Sequence, residues 1–418
     1  MFANWPLRRS LMVTLAVAWF LSYADRVNMS VAAIPMQAEF GWDETTKGLV
    51  MGSVFIGYLS SQMIGGWLAD KFGAVRVLTF AVFSFSLLTI LTPLAASVSF
   101  AMLITVRIAL GVAEGLAVPA TYAFIGRWSP PGEVSRMLAI VVSGATIGAP
   151  GGFMLSGILV EELGWQSPFY VFGILGITWV LYWKFRAHEA PAVHPTIAEE
   201  ERALFSGSEQ VEEAVTVPVR KILGHRAIWA LIFNKFTSLW MVYVFLGWLP
   251  SYFNSVQGVS IAGSGLFAAL PWIAMSLMLY VASAQADGLL ERGWSIDFVR
   301  KLMQVIGMVG AMIFLLLIPL ADTAMLALAA TCLAMGALGC CYSGADATIL
   351  EVAPRYRGFV SGLVGTLGGL PGIIAIPLIG WLVDTTGSYN WGFISAAILN
   401  VCAVGVWLAF GTGRKVID

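Results

Sequence analysis

Twelve apolar runs, each about 20 residues or longer, follow one another along this chain of 418 residues. A helix of about 20 apolar residues is long enough to cross the hydrocarbon core of a bilayer. The composition excludes an ordinary water-soluble globular protein, because 59% of the residues are hydrophobic and only 11% are charged. The sequence therefore predicts an all-α polytopic protein that has the lipid bilayer as its partner. The predicted spans are residues 10–34, 46–69, 76–96, 99–124, 136–160, 166–187, 226–252, 261–286, 299–320, 324–347, 357–383 and 390–411.

The lysines and arginines predict the orientation of these spans, because such residues accumulate in cytoplasmic loops. With both termini inside, 19 of the 23 basic residues fall in cytoplasmic segments. Lys47 lies near an outer loop, and Arg26, Arg107 and Lys235 lie within spans. We expect a multi-pass monomer in the cell (inner) membrane with both termini in the cytoplasm. The net charge of −1 and the segregation of charge by side indicate no nucleic-acid partner.

A polar segment at residues 188–225 separates two sets of six spans. It predicts a bundle at residues 1–187, a cytoplasmic linker, and a second bundle at residues 226–418. This layout is typical of transporters that are built from two similar bundles, with the substrate site at the midplane between them. Within the linker, Thr196 and Glu199 predict a capping box for a short helix at residues 196–205.

Four ionisable residues interrupt two of the spans: Asp25 and Arg26 in the first, Arg107 and Glu114 in the fourth. A charge within a span costs about 2.5–3.5 kcal/mol or more, so these residues are functional candidates. Arg107 and Glu114 lie about 20° apart around a helix and about 10.5 Å apart along it. We expect Asp25 and Arg26 to lie level with Arg107, where two guanidinium groups form a fork for a carboxylate or phosphate.

The two acids are candidates for carrying a coupling proton. Burial raises the pKa of a carboxyl group and a nearby arginine lowers it, so small rearrangements can change its protonation. The alternative is that the four charged residues are buried pairs that fix the contacts between helices. Neither a metal site nor a cofactor is indicated by the cysteines, histidines or acidic residues.

The loop after the second span reads GGWLADKFGAVR, residues 65–76, and matches the signature of the major facilitator superfamily. Its gating residues are Gly66, Asp70, Lys71, Gly73 and Arg76. Small residues permit a close crossing of helices, and Asp70 can bond a helix N-terminus or a nearby arginine. An ordinary basic turn is the alternative interpretation.

Longer stretches give a more specific resemblance. They include YADRVNMSVAAIPM (23–36), VRIALGVAEGLAVPA (106–120), RWSPPGEVSR (127–136) and EVAPRYRGFVSG (351–362). In these stretches the chain resembles the anion:cation symporter branch of the superfamily, which includes sialin and vesicular glutamate, plant phosphate and bacterial sugar-acid transporters. The resemblance implies the major facilitator fold of twelve helices in two bundles. It also implies a proton- or sodium-driven carrier of an organic anion (a carboxylate or sugar acid) or phosphate. The titratable acids favour the proton over sodium, so we expect proton-coupled symport by alternating access.

The same resemblance assigns roles to individual residues. It makes Asp25 and Glu114 the proton-coupling acids, and Arg26 and Arg107 the residues that organise the anion site. Tyr58 and Gln62, one turn apart on the second span, are further candidates for substrate binding, with helix packing as the alternative for each. Lys235 in the seventh span stands where many family members have histidine. It can bind an anion, pair with an acid or extend its amine to the cytoplasmic surface.

Two other functions are weighed against symport. The run from Gly144 to Gly152 in the fifth span loosely resembles a motif of drug/proton antiporters, so the alternative is a proton-coupled exporter of small molecules. Glycines at this spacing more often serve close packing of helices. An enzyme is not indicated, because all three histidines fall in the linker and the spans contain no nucleophile–base or metal-ligand cluster. A sensor without transport is the other alternative, and specific binding without movement of any solute would favour it.

Overall fold

The computed structural model describes residues 5–130, 132–205 and 217–417. Within these ranges the regular structure is helical, and twelve segments are long and apolar enough to cross a membrane. The prediction of an α-helical multi-pass membrane protein is confirmed. The α-helices, in chain order, are α1 (Leu7–Phe40), α2 (Glu44–Phe72), α3 (Ala74–Val98), α4 (Phe100–Trp128), α5 (Val134–Leu163), α6 (Ser167–Arg186), α7 (Glu199–Ala203), α8 (Val219–Leu223), α9 (Arg226–Ser255), α10 (Ile261–Glu291), α11 (Ile296–Leu317), α12 (Ala324–Gly339), α13 (Ala345–Glu351), α14 (Arg357–Gly368), α15 (Pro371–Thr386) and α16 (Asn390–Phe410).

Two of the predicted spans are broken helices. The tenth span consists of α12, a 3-10 turn at Cys340–Ser343, and α13. The eleventh span consists of α14 and α15, and the break comes directly before Pro371. A proline has no N–H to donate and disfavours helical backbone in the residue before it. The spans predicted at residues 324–347 and 357–383 are present, and each contains a break that the sequence did not predict.

The chain forms two compact units. One contains Met1–Pro35 and Ser53–Ala214, and the other contains Met36–Gly52 and Val215–Asp418. In the first unit α3 packs beside α4 and α6, and in the second α11 packs beside α12 and α16. The third span of each set of six thus has the fourth and sixth spans as neighbours. Such a repeated arrangement is common in transporters built from internal repeats. The bundle boundaries at residues 187 and 226 stay a prediction.

Three glycines of α5, spaced four residues apart, lie against the backbone of α1: Gly144, Gly148 and Gly152. A Cβ atom on Gly144 would collide with the carbonyl oxygen of Ala16, and one on Gly152 would lie 2.6 Å from the Cα atom of Ala24. Small residues at this spacing let two helices approach closely within a membrane. Close packing therefore accounts for the glycine run of the fifth span.

The linker packs against the beginning of α1. The Glu201 carboxylate accepts hydrogen bonds from the backbone N–H of Arg8 at 2.9 Å and from the Arg8 guanidinium at 3.1 Å. The same guanidinium donates to Glu133 at 3.1 Å, and this hydrogen bond lowers the pKa of the Glu133 carboxyl. The predicted capping box of Thr196 is wrong, because α7 begins only at Glu199 and the residue before it makes no side-chain cap.

The contact between α5 and α1 predicts a difference between two glycine substitutions. Gly144→Ala should lower the stability of the protein by about 1–3 kcal/mol, because the methyl group overfills the contact. Gly126→Ala in α4 is the matched control, since no atom lies within 4 Å of the added Cβ atom. We expect this control to be neutral or slightly stabilising, because alanine favours helix over glycine. Thermal unfolding of the purified variants in detergent measures both effects, and equal melting temperatures would contradict the packing argument.

Candidate functional site

Arg26 of α1 and Glu114 of α4 form an ion pair inside the first unit. Arg26 Nε donates to Glu114 Oε2 at 2.8 Å, and the two side chains are 6% and 0% exposed. The Arg26 guanidinium also lies over two aromatic rings, 4.9 Å from the ring centre of Tyr23 and 4.1 Å from that of Tyr58. These contacts fix a buried cation by charge and by cation–π attraction together.

Close packing of α2 on α4 puts Tyr58 beside this ion pair. Gly57 and Gly111 each lie against the backbone of the opposite helix, with no room for a Cβ atom. The two backbones therefore touch one turn before Glu114. The ring of Tyr58, the residue that follows Gly57, can then cover Arg26. Tyr58 was predicted as a hydrogen-bonding residue, and the structure adds its contact with the guanidinium.

Asp25 and Arg107 lie in the same buried region. Asp25 is 2% and Arg107 1% exposed. The Asp25 carboxylate accepts a hydrogen bond from Asn28 Nδ2 at 2.9 Å, and Arg107 is within electrostatic range of both Asp25 and Glu114. All four predicted charges are thus brought together in one unit. The expected fork placed Arg26 level with Arg107, whereas Arg26 bonds Glu114, which lies two turns along α4 from Arg107.

Each of these charged groups except Arg26 has a buried atom without a hydrogen-bond partner among the described residues. The atoms are Nε and Nη1 of Arg107, Oδ2 of Asp25 and Oε1 of Glu114. A buried polar atom without a partner costs about 1–3 kcal/mol, and a charged one costs more. Such orphaned atoms in a folded protein call for a ligand, a proton or water. The cluster therefore has unused donors for an anion and unused acceptors for a proton.

Lys235 of α9 lies in the second unit and pairs with an acid. Its Nζ lies 2.9 Å and 3.1 Å from the two carboxylate oxygens of Asp346, at the start of α13. Both side chains are about one-fifth exposed. The sequence left three roles open for Lys235, and the structure shows one of them, pairing with an acid.

The break in the tenth span is held by two residues that the sequence analysis missed. Gln304 Oε1 accepts the N–H of Ala345 at 2.9 Å, and its amide donates to Asn234 Oδ1 at 2.9 Å. Both side chains are fully buried. A buried amide in an apolar span was the signal that could have revealed them.

The loop between α2 and α3 is bonded to the linker. Gly73 has a φ of 94°, a conformation that favours glycine, and the space beside its Cα atom is filled by the Glu189 carboxylate. Glu189 accepts the N–H of Val75 at 3.1 Å, at the start of α3, and pairs with Arg127 at 3.1 Å. The sequence predicted that Asp70 can bond a helix N-terminus, but Asp70 is exposed. Glu189 takes this role at α3 and was missed.

The other predicted residues of the motif lie at the surface of the first unit. Lys71 and Arg76 are exposed, and Lys71 Nζ lies 4.7 Å from the ring centre of Trp67. Gly65, rather than Gly66, makes the close contact with α4. Gln62, partly buried on α2, does not line the cavity beside Glu114 that is described below.

The family follows from comparison with known proteins. The model of the Major Facilitator Superfamily matches residues 15–292. The chain belongs to the Major Facilitator Superfamily. Its relatives include the chloroplastic ascorbate transporter of Arabidopsis thaliana, which is 38% identical over 98% of this chain and 76% of its own length. The chloroplastic sodium-dependent phosphate transport protein 1 of Arabidopsis thaliana is 37% identical over 99% of this chain and 81% of its own length. The chloroplastic probable anion transporter 4 of Oryza sativa subsp. japonica is 37% identical over 99% of this chain and 70% of its own length.

Solved structures of major facilitator proteins share the fold. A bacterial homologue of the human lysosomal transporter Spinster superimposes with a TM-score of 0.81 at 15% identity, over 97% of each chain. A D-xylose-proton symporter superimposes with a TM-score of 0.77 at 16% identity, over 97% of this chain and 99% of its own. The predicted fold and family are confirmed. This member of the superfamily is a secondary transporter and not an enzyme, and its relatives are transporters of anions.

The buried ion pair yields a test of whether it serves structure alone. Arg26→Met or Glu114→Met should each lower stability by about 3–5 kcal/mol, because the remaining charge is buried without its partner. The double variant Arg26→Met/Glu114→Met should recover most of that loss but should not transport. Melting temperatures and solute uptake of the four proteins form the cycle. A double variant that regains both stability and uptake would show that the pair only holds the helices together.

Proposed function

We propose that this protein is a proton-coupled symporter of a small anion, either an organic carboxylate or sugar acid or phosphate, that works by alternating access. The observation that carries the proposal is the set of orphaned atoms on Arg107, Asp25 and Glu114. The N–H donors of buried Arg107 lack an acceptor, which an anion from outside the protein can supply. Each of the two acids has an oxygen that can bind a proton. A site with both properties suits an anion that is transported together with a proton.

Arg107 is the proposed anchor of the anion. The guanidinium presents N–H groups in a planar fork that matches the two oxygens of a carboxylate or phosphate. The two atoms without partners, Nε and Nη1, lie on different edges of the guanidinium, so a single carboxylate does not bridge them. An anion bound at either edge would therefore supply an acceptor to one of these two atoms.

Glu114 is the proposed switch, because it competes with the anion for Arg26. While ionised, Glu114 holds Arg26 Nε at 2.8 Å. A proton on Glu114 removes the charge that attracts the guanidinium, so Arg26 can turn toward the anion. Tyr58 would keep contact with Arg26 during this movement through its ring. Asp25, within electrostatic range of Arg107, is the second proposed coupling acid.

The formal charges of the site favour coupling. Arg26, Arg107, Asp25 and Glu114 sum to zero when all four are ionised. An anion with one negative charge would bring the sum to −1, and a buried net charge is unfavourable in a poorly hydrated site. One proton on either acid restores zero. We therefore propose one proton for each negative charge that the anion brings.

The relatives support an anionic solute, since ascorbate and phosphate both carry negative charge at neutral pH. One relative is named as sodium-dependent, so sodium is the competing coupling ion. For the other predicted residues we propose that Gln62 and Lys235 are secondary substrate-binding residues, Lys235 only once Asp346 releases it. Gly66, Asp70, Lys71, Gly73 and Arg76 would form the gating motif. The distribution of lysine and arginine supports cytoplasmic termini, and we propose the cell membrane as the location.

Uptake into liposomes tests the proposal. Labelled sugar acid, short monocarboxylate, glutamate and phosphate are offered to the purified protein with and without an inward proton gradient, and separately with a sodium gradient. We expect one of these anions to accumulate with the proton gradient. Glu114→Gln should abolish accumulation but retain the exchange of preloaded anion, because a neutral amide mimics the protonated acid. Asp322→Asn, an exposed acid outside the site, is the control.

Two other outcomes would contradict the proposal. Accumulation that follows the sodium gradient alone would show that sodium, and not the proton, is the coupling ion. Failure of every anion under every gradient, in a protein that instead expels lipophilic compounds, would favour the proton-coupled exporter.

The charge argument also predicts how binding depends on pH. In the range where both acids of the empty site are ionised, the affinity for a monovalent anion should rise about tenfold for each unit by which the pH falls. A divalent anion should give a change of about a hundredfold. Isothermal titration at several pH values measures the slope. An affinity that stays constant with pH would contradict proton-linked binding.

A further inference from the structure

A small cavity lies beside Glu114 within the first unit, between α1, α2, α3 and α4. Its volume is about 40 Å³. Ligand pockets are commonly about 300–1,000 Å³, so this cavity is too small for the transported anion. A buried water needs roughly 10–15 Å³ by the same measure, so there is space for two or three waters.

The cavity has the polar groups that buried water needs. Glu114 lines it, and its Oε1 atom is buried without a partner while Oε2 is bonded to Arg26. The hydroxyl-bearing residues Ser22, Tyr58 and Thr121 also line the cavity. A buried water is favourable when it makes two to four hydrogen bonds to such groups. Water in this cavity would satisfy Glu114 Oε1.

A hydrogen bond between α1 and α4 lies beside the cavity. Trp19 Nε1 donates to Thr121 Oγ1 at 3.3 Å, and the Thr121 hydroxyl donates to the Ala117 carbonyl at 2.8 Å. The Trp19 ring lies parallel to that of Tyr23 and edge-on to that of Tyr122. Trp19 is partly exposed, while Thr121 is buried. The indole therefore forms a wall between the cavity and the surface of the unit.

Among the charged and titratable groups around the cavity, Glu114 is the one suited to carry the proton. Arg26 comes from α1, and the phenols of Tyr23 and Tyr58 come from α1 and α2. The wall contributed by α3 is apolar, made of Leu78, Val82 and Phe85. Asp25 and Arg107 act on Glu114 only through charge, since neither lines the cavity.

We propose that this cavity is the water site through which Glu114 exchanges its proton, and that the Trp19–Thr121 hydrogen bond closes it. On uptake, a cavity water passes a proton to Glu114 Oε1 and takes one from water outside the cavity when the Trp19–Thr121 hydrogen bond opens. On release, Oε1 returns a proton to cavity water, which passes one to the water outside. The anion, held at Arg107, does not pass through the cavity. This inference rests on the proposed proton coupling by Glu114 and adds the route by which the proton reaches it.

Filling the cavity tests the inference. Ala117→Val places two more carbon atoms in the cavity and removes no polar group. We expect gradient-driven uptake, and the proton entry reported by a pH-sensitive dye inside the liposomes, to fall together by at least about tenfold. Exchange of preloaded anion should stay within about twofold of the wild type, because exchange needs no net proton transfer. Ala101→Val, at an exposed position of the same helix, is the matched control.

A second pair of variants guards against misfolding of the first. Thr121→Val removes the hydroxyl at nearly constant volume, and Thr121→Ser keeps it. We expect the valine variant to show altered proton entry with normal exchange, and the serine variant to behave as the wild type. Wild-type proton entry in both Ala117→Val and Thr121→Val would overturn the inference. If the wild-type protein itself shows no proton dependence, the proposed function fails, and the inference fails with it.

Discussion

The ion pair between Arg26 and Glu114 is the interaction on which the first unit depends, because it puts a fixed charge of each sign inside a membrane helix bundle. Neither charge is tolerable there alone. The surrounding structure serves the pair: glycines bring α2 against α4, the Tyr23 and Tyr58 rings cover the guanidinium, and both charged side chains are at most 6% exposed. The pair does not use every polar atom. Arg107, Asp25 and Glu114 keep unsatisfied atoms that rigid packing would normally eliminate, which agrees with the proposed binding of an anion and a proton at this cluster.

Much of this could be predicted from the sequence, because lipid leaves few choices. Twelve apolar runs had to be helices, since backbone groups in hydrocarbon must bond within their own segment. Charged residues within spans identified the site, because their energetic cost requires a reason. The pairing of those charges could not be predicted, because it depends on helix rotation and on how far a long side chain reaches. The role of Glu189 was missed for another reason: it lies 114 residues from Val75, whose N–H it accepts. Breaks in the tenth and eleventh spans were missed because apolar composition does not report backbone continuity.

The four-charge cluster and the Lys235–Asp346 pair differ in burial. The cluster in the first unit, made of Asp25, Arg26, Arg107 and Glu114, is at most 7% exposed, and three of its members have orphaned atoms. In the second, Lys235 and Asp346 satisfy one another and are about one-fifth exposed. A mutually satisfied, partly hydrated pair has little reason to bind either an anion or a proton. The asymmetry favours chemistry in the first unit and a supporting role for Lys235.

In the proposed mechanism, competition for Arg26 is enough to link the anion and the proton. A proton on Glu114 would weaken the hold on Arg26 and so strengthen anion binding, and by reciprocity a bound anion would strengthen proton binding by the same factor. No long pathway is needed, because both ligands act on one side chain. The coupling is bounded by the difference in free energy between Arg26 bonded to Glu114 and Arg26 bonded to the anion. Tyr23 and Tyr58 contact the guanidinium on α1 and α2, so they limit how far it can turn. Substitutions of these rings should therefore alter the strength of coupling more than the affinity of the isolated anion site at Arg107.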